Sequence, residues 1–167
     1  QSLCQLIGTL TADLIGYQGH QCASTYLDLI EATAYAEQAV APGSTRLLDA
    51  VVRGLHHLTA YKDEYEVARL LLGADGRAVA TTVGGRTPRV TWHLHPPVLK
   101  ALGGGKIAVP ASVGRPLMWM LSRGRRLRGT PLDPFGHTEV RRLEQALVAA
   151  YTDTIQRLLG NLTAEGI

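Results

Sequence analysis

The sequence is poor in cysteine and aromatic residues and lacks any long apolar run. Its two cysteines, Cys4 and Cys22, form no C-x-x-C pair, which excludes a zinc ribbon or an iron–sulfur cluster built from this chain alone. We expect both to be reduced, buried thiols of a cytoplasmic protein. No stretch of about 18 apolar residues predicts a membrane span, and no signal-peptide pattern is visible.

The charge distribution is uneven along the chain. Net charge is +3, but residues 1–76 hold four basic and nine acidic side chains, while residues 77–167 hold thirteen basic and five acidic ones. Fourteen of the seventeen basic residues are arginine, which favours bidentate pairing with carboxylates or phosphates. Pairing between the two halves inside the fold is the simplest interpretation. With 46% hydrophobic residues over 167 positions, a single domain covering residues 1–167 is expected.

Apolar residues at three- and four-residue spacing predict a mainly α fold of about five to six helices. The last helix carries the longest such pattern, formed by Val140, Leu143, Leu147, Ala150, Ile155 and Leu158. Residues 77–83 and 89–95 are rich in Val and Thr and flank Gly84-Gly85, which predicts one small β-hairpin. The Gly-rich residues 101–116 predict a flexible linker, with Pro116 suited to the first turn of the helix that follows.

A charged segment opens one of the helices. Asp63 is suited to N-cap it, and Glu66 is placed to complete a capping box and to pair with Arg69. One interpretation is purely structural; the other is a clamp on a neighbouring domain or on substrate. The residues assigned to this cluster are Tyr61, Lys62, Asp63, Glu64, Glu66 and Arg69.

A basic run follows later in the chain. Binding of nucleic acid is not expected because no aromatic residue is interleaved with its cations. Docking of an acidic protein partner and internal pairing with carboxylates remain as alternatives. The run consists of Arg123, Arg125, Arg126 and Arg128.

Two patterns suggest ligands only weakly. His93 and His95 would point to one face of a strand, but no third metal ligand is indicated by spacing. Gly103-Gly104-Gly105-Lys106 lacks the glycine frame of a phosphate-binding loop, and Ile107 stands where a Ser or Thr would bind Mg²⁺. We therefore predict no metal and no phosphate site.

Six stretches occur in a characteristic order: Ala41–Thr45, Tyr61–Leu70, Trp92–Pro97, Leu127–Thr130, Leu132–Gly136 and the helix Glu139–Leu147 with Tyr151 beyond it. Read together, they resemble the C-terminal part of indolepyruvate ferredoxin oxidoreductases. The similarity covers about residues 12–162, and the order of its motifs is more specific than any one motif. Arg is absent at the position of Leu143, and residues 101–115 are richer in glycine than in that family.

The resemblance implies oxidative decarboxylation of aryl 2-oxo acids, with electrons passed to ferredoxin. It implies thiamine diphosphate, Mg²⁺ and 4Fe–4S clusters in other domains of a homo-oligomeric parent enzyme, since this chain lacks their motifs. The chain would then be a non-catalytic domain that packs on the catalytic domains or subunits, with ferredoxin as a further partner of the basic run. It adds Asp133, Phe135, Arg141 and Arg142 to the structural or interface residues, with Phe135 expected as a core anchor. The competing hypothesis is a freestanding helical module that binds a small molecule or a protein.

Overall fold

The computed structural model describes residues 2–84, 90–94, 107–133, 135–136 and 138–163. The predicted mainly α fold is confirmed, although the described residues form more helices than expected. In chain order the elements are α1 (Leu3–Tyr17), α2 (His20–Val40), α3 (Arg46–Thr59), α4 (Glu64–Leu72), α5 (Ala74–Gly84), β1 (Thr91–Leu94), β2 (Ile107–Pro110), α6 (Ala111–Gly124), a 3-10 turn (Arg125–Leu127) and α7 (Glu139–Gly160).

The chain divides into two compact units. The first unit joins Gln1–Tyr61 to Leu127–Ile167, and the second unit is Lys62–Arg126. The first therefore contains α1, α2, α3 and α7, while the second contains α4, α5, α6 and both strands. The expected single domain over residues 1–167 stays a prediction, because this division describes packing and not independent folding.

The core of the first unit lies among its four helices. Its largest apolar contributors include Leu14 from α1, Ile30 from α2, Val52 from α3 and Ile155 from α7, all buried. The buried Tyr26 adds a hydrogen bond between two of these helices, because its hydroxyl donates to the Val52 carbonyl at 3.0 Å. A buried tyrosine hydroxyl normally needs such a partner, and this one fixes α2 against α3.

A buried carboxylate organises the start of α3. Glu37, near the end of α2 and only 1% exposed, accepts hydrogen bonds from the Ser44 hydroxyl (2.6 Å) and from the backbone N–H groups of Leu47 (3.1 Å) and Leu48 (2.8 Å). The first N–H groups of a helix have no partner within the helix and carry its positive end. Glu37 therefore caps α3 from α2, whereas the side chain of the N-cap residue Thr45 makes no capping hydrogen bond and the Ser44 hydroxyl oxygen accepts only a long one, from the Arg46 N–H at 3.4 Å.

The second unit brings α4 against α6. Ala68 and Tyr65 of α4 and Met118 of α6 are buried. At Gly124 a Cβ atom would lie 2.7 Å from Cε1 of the Tyr65 ring, so only glycine lets the end of α6 approach the ring this closely.

The predicted hairpin is wrong in its first strand. Residues 77–83 belong to α5, where the hydroxyls of Thr81 and Thr82 donate to carbonyls four residues back and so remain satisfied within a helix. Strand β1, inside the predicted 89–95, is confirmed, but it pairs antiparallel with β2, from Thr91 opposite Pro110 to Leu94 opposite Ile107. The two strands are thus separated by a longer stretch of chain than a tight turn.

The predicted linker is also wrong where the structure describes it. Residues 107–116 form β2 and the first turns of α6, while residues 101–106 lie outside the described part. Helix α6 starts earlier than predicted, with Pro110 at its N-cap, so that Pro116 lies inside it. Among the described residues, no helix combines the length and apolarity that crossing a membrane requires.

Candidate functional site

Two buried arginines stack on two tyrosines in the first unit, and we call these four residues the arginine–tyrosine cluster. The guanidinium carbon of Arg128 lies 3.8 Å from the ring centre of Tyr17, and that of Arg141 lies 4.0 Å from the ring centre of Tyr61. The two rings meet edge to face at 5.8 Å. Both arginines are only 5% exposed. Desolvated stacking of this kind is worth about 2 kcal/mol or more per pair.

The cluster is assembled from the ends of several elements. Tyr17 ends α1, Tyr61 follows α3, Arg128 follows the 3-10 turn, and Arg141 lies in the first turn of α7. Arg128 also donates from Nη1 to the Tyr17 carbonyl at 2.8 Å, and Arg141 pairs with Glu144 at 3.3 Å. The last carbonyls of a helix lack intrahelical partners, so Arg128 caps α1 as well as stacking on its final residue.

A tight turn between Arg128 and α7 is held by Asp133, which is 1% exposed. Its carboxylate accepts from the backbone N–H of Phe135 at 3.1 Å and from that of Gly129 at 3.4 Å. Gly129 has a φ of +77°, and a Cβ at Gly136 would lie 2.9 Å from the Asp133 carboxylate. Asp133 is thus a structural residue. Phe135 is only half-buried, so its expected role as a core anchor is wrong.

The charged segment before α4 forms its own network in the second unit. Asp63 caps α4, accepting from the Glu66 N–H at 2.7 Å. Arg69 donates two hydrogen bonds to the buried Glu66 carboxylate, from Nη2 at 2.6 Å and from Nε at 2.8 Å. The predicted N-cap and the predicted Glu66–Arg69 pair are therefore confirmed. Lys62 is exposed and Glu64 is half-buried.

Replacing Asp63 by alanine should destabilise the protein by about 1 kcal/mol, because α4 loses its side-chain cap. Replacement by asparagine, which also accepts a hydrogen bond, should cost less. Urea unfolding followed by circular dichroism measures both, with Lys62→Ala as the exposed neighbouring control. Equal midpoints for Asp63→Ala and Lys62→Ala would show that the cap contributes nothing.

The basic run is split by the structure. Arg128 is buried in the arginine–tyrosine cluster, so it cannot belong to a docking surface. Arg123 and Arg126 are exposed and Arg125 is half-buried. The guanidinium carbon of Arg123 lies 4.3 Å from the ring centre of Trp119, itself more than half exposed. An aromatic side chain, Trp119, therefore lies beside the run, one helical turn before Arg123. It was not predicted because it lies outside the run.

A cavity of about 330 Å³ lies between α2, α3 and α7. Its lining contains no charged side chain: neutral polar groups alternate with apolar ones. Burial raises the pKa of the Cys22 thiol, an effect that nearby Arg128 only partly opposes, so the thiol is protonated at neutral pH. The lining residues are Gln18, Gln21, Cys22, Thr25, Tyr26, Leu29, Leu55, Thr59, Val148 and Thr152.

Sequence reasoning missed this cavity, since its members come from three separated segments. The expectation that both cysteines are buried was also wrong, because Cys4 is exposed and Cys22 is partly buried. Within the described ranges, no three His, Cys, Asp or Glu side chains come together as metal ligands would. His95 and the stretch Gly103–Lys106 lie outside those ranges.

The fold and the site define the chain as a mainly helical protein with a buried arginine–tyrosine cluster. The chain belongs to a family of unknown function, DUF6537, whose model matches residues 3–167. No curated protein and no solved structure matches it. The family match runs through both compact units.

Proposed function

We propose that the chain is the C-terminal accessory domain of an indolepyruvate ferredoxin oxidoreductase-like enzyme, where it packs on the catalytic domains without catalysing the reaction itself. The proposal starts from the ordered resemblance of its motifs to that family. One structural observation also supports the proposal. Three of the resembling stretches, Tyr61–Leu70, Leu127–Thr130 and Glu139–Leu147, each contribute one residue to the arginine–tyrosine cluster.

The cluster supports a structural role for these motifs. A guanidinium group that is 5% exposed and stacked on a tyrosine ring has little surface left for a substrate. Asp133, Asp63 and Glu66 are likewise buried, and their carboxylates accept hydrogen bonds from the fold itself. Thiamine diphosphate, Mg²⁺ and the iron–sulfur clusters would belong to the catalytic domains, and the exposed Arg142 to the surface that meets them.

Ferredoxin docking is the second part of the proposal. Arg123 and Arg126 are exposed cations, and the Trp119 ring beside Arg123 adds an apolar contact. Opposite charges steer association and make its rate depend on salt. We expect Arg123→Ser/Arg126→Ser to flatten the salt dependence of ferredoxin reduction by the complete enzyme. Arg53→Ser, an exposed arginine in the first unit, should leave it unchanged. Equal salt slopes for both variants would remove this docking surface.

The accessory-domain proposal is tested with the complete reading frame that contains this chain. The anaerobically purified product should reduce ferredoxin in the presence of indolepyruvate and coenzyme A. Removing residues 1–167 should abolish assembly of the catalytic domains while the thiamine and cluster motifs stay intact. A reading frame that encodes only this helical protein, with a colourless and inactive product, would overturn the proposal.

The uncharged cavity favours one other candidate, a freestanding module that binds a small neutral molecule. Its volume of about 330 Å³ lies at the lower end for ligand pockets. The two cysteines provide the test, because Cys22 lines the cavity while Cys4 is exposed elsewhere. Indole, used as a neutral aromatic probe, should slow alkylation of Cys22 and leave that of Cys4 unchanged if the cavity binds such molecules. Equal rates with and without indole would count against it.

A further inference from the structure

Helix α7 has an apolar face that the first unit leaves exposed. Val140 and Leu143 are 66% and 61% exposed, and Leu147 and Leu158 are 47% and 39% exposed. The helix packs on the core with a different face, through the buried Ile155. The predicted apolar pattern therefore contains two faces, of which only one enters the core.

The exposed apolar residues lie on one side of the helix and we call them the α7 stripe: Val140, Leu143, Leu147, Ala150 and Leu158, with the exposed Thr154 between the last two. At 100° per residue they lie within about 80° of one another around the helix axis. From Val140 to Leu158 the stripe extends about 27 Å. Its first four members are spaced by three, four and three residues, which is typical of helices that pair along a seam. Scattered apolar residues on a surface need no explanation, but the regularly spaced run from Val140 to Ala150 on one side of an exposed helix indicates a partner.

The charges beside the stripe indicate that a second copy of the chain is the partner. Glu139 and Arg157 lie on the same flank of the stripe, near its opposite ends. If a second α7 runs antiparallel across the first with Leu147 opposite Ala150 of the second copy, Leu143 lies opposite its Thr154 and Val140 lies within one residue of the level of its Leu158. In that register Glu139 lies within one residue of the level of Arg157 of the second copy, because equal flanks meet in an antiparallel pair. Arg157 also pairs with Asp153 of its own helix at 2.7 Å, at an exposed site where both side chains can rearrange. Both charged contacts and all apolar contacts then occur twice.

We propose that the α7 stripe is a self-association surface, on which a second copy of this chain binds antiparallel about a two-fold axis. Such an isologous contact needs one self-complementary patch, which the stripe and its flank provide. A single pair of helices of this length buries less than the roughly 1,600 Å² of a standard interface. A contact this small is typical of weak, transient association, so the dimer is expected only at high protein concentration. The inference does not depend on the proposed enzymatic role.

Sedimentation velocity of the 167-residue chain, from low micromolar to several hundred micromolar, tests the proposal. The wild-type protein should pass from monomer to dimer over this range. Leu147→Glu should keep it monomeric throughout, since it places a charge at the centre of the stripe. Tyr35→Glu is the matched control on α2, where Tyr35 is 81% exposed and lies outside the stripe. Circular dichroism confirms that each variant is folded.

A charge exchange tests the register. Glu139→Arg and Arg157→Glu should each weaken the dimer at least several-fold, because like charges then face each other, and the double variant should recover most of the affinity. A wild-type chain that stays monomeric at every concentration would overturn the proposal, and the stripe would then face another domain or protein. A dimer that survives Leu147→Glu, or no recovery in the double variant, would contradict it equally.

Discussion

Replacing Arg128 by alanine is expected to destabilise the first unit by about 3–5 kcal/mol: about 2 kcal/mol for the lost desolvated stacking and about 1–3 kcal/mol for a buried carbonyl left without this donor. Arg128 is 5% exposed, lies 3.8 Å from the Tyr17 ring centre and donates to the Tyr17 carbonyl. Its removal leaves that carbonyl without this donor and opens space beside two rings. Whole-domain stabilities are about 5–15 kcal/mol, so a large drop in the urea midpoint should follow.

Arg128→Lys separates charge from shape. Lysine keeps the positive charge but lacks the planar group that stacks on Tyr17, so we expect it to recover only part of the lost stability. Arg126→Ala is the control, because Arg126 is exposed and only two residues away. If Arg128→Ala and Arg126→Ala shift the midpoint equally, the arginine–tyrosine cluster does not stabilise the fold.

Glu37→Gln is expected to cost about 2–3 kcal/mol at neutral pH. Hydrogen bonds to a charged acceptor are worth about 1.5–3 kcal/mol each, and the glutamine amide replaces only some of those made by Glu37. Its NH₂ group would also face the N–H donors at the start of α3. Glu31→Gln, at an exposed position of the same helix, is the matched control and should leave the unfolding midpoint unchanged.

The effect of Glu37 should depend on pH. Desolvation opposes its ionisation, but the hydrogen bonds from the Ser44 hydroxyl and from the backbone N–H groups at the start of α3 outweigh it and lower the pKa of Glu37 below the ordinary value of 4.5. Between the lowered pKa of Glu37 in the folded protein and the ordinary value of 4.5, the unfolded chain binds more protons than the folded one, so stability increases with pH in that range. The contribution is complete above pH 4.5 and is lost as pH falls through the lower, folded-state value.

Urea unfolding of the wild type and of Glu37→Gln at several pH values measures this linkage. The difference in unfolding free energy between them should be constant from pH 7 down to about pH 5 and shrink below that. A difference independent of pH down to the acid transition would show that the carboxylate charge of Glu37 does not stabilise α3.

Short-range patterns in the sequence predicted the interactions that form between residues close together in the chain. The N-cap at Asp63 and the pair between Glu66 and Arg69 depend on residues three apart, and both were predicted correctly. The prediction failed where β-branched residues lie in a helix: Thr81 and Thr82 suggested a strand, yet their hydroxyls bond to carbonyls of their own helix. Propensity is a weak prior that the rest of the fold can override.

The arginine–tyrosine cluster could not be predicted by such patterns. Arg128 and Tyr17 are 111 residues apart in the chain, and nothing in the spacing near either residue indicates the other. The basic run also looked uniform, although Arg126 is exposed and Arg128 is buried. Which arginine turns inward depends on a tertiary contact. The motif resemblance named Tyr61 and Arg141 together but did not indicate why they belong together.

The discontinuity of the first unit has a consequence for the order of folding. Because its final segment begins at Leu127, the contacts of Arg128 and α7 cannot form during synthesis until the whole of Lys62–Arg126 has been made. Contacts this distant in sequence slow folding, since a long loop must close before they stabilise anything. The helices α1 to α3 thus emerge from the ribosome well before the helix that completes their core, and their apolar faces stay open to non-native association until α7 arrives.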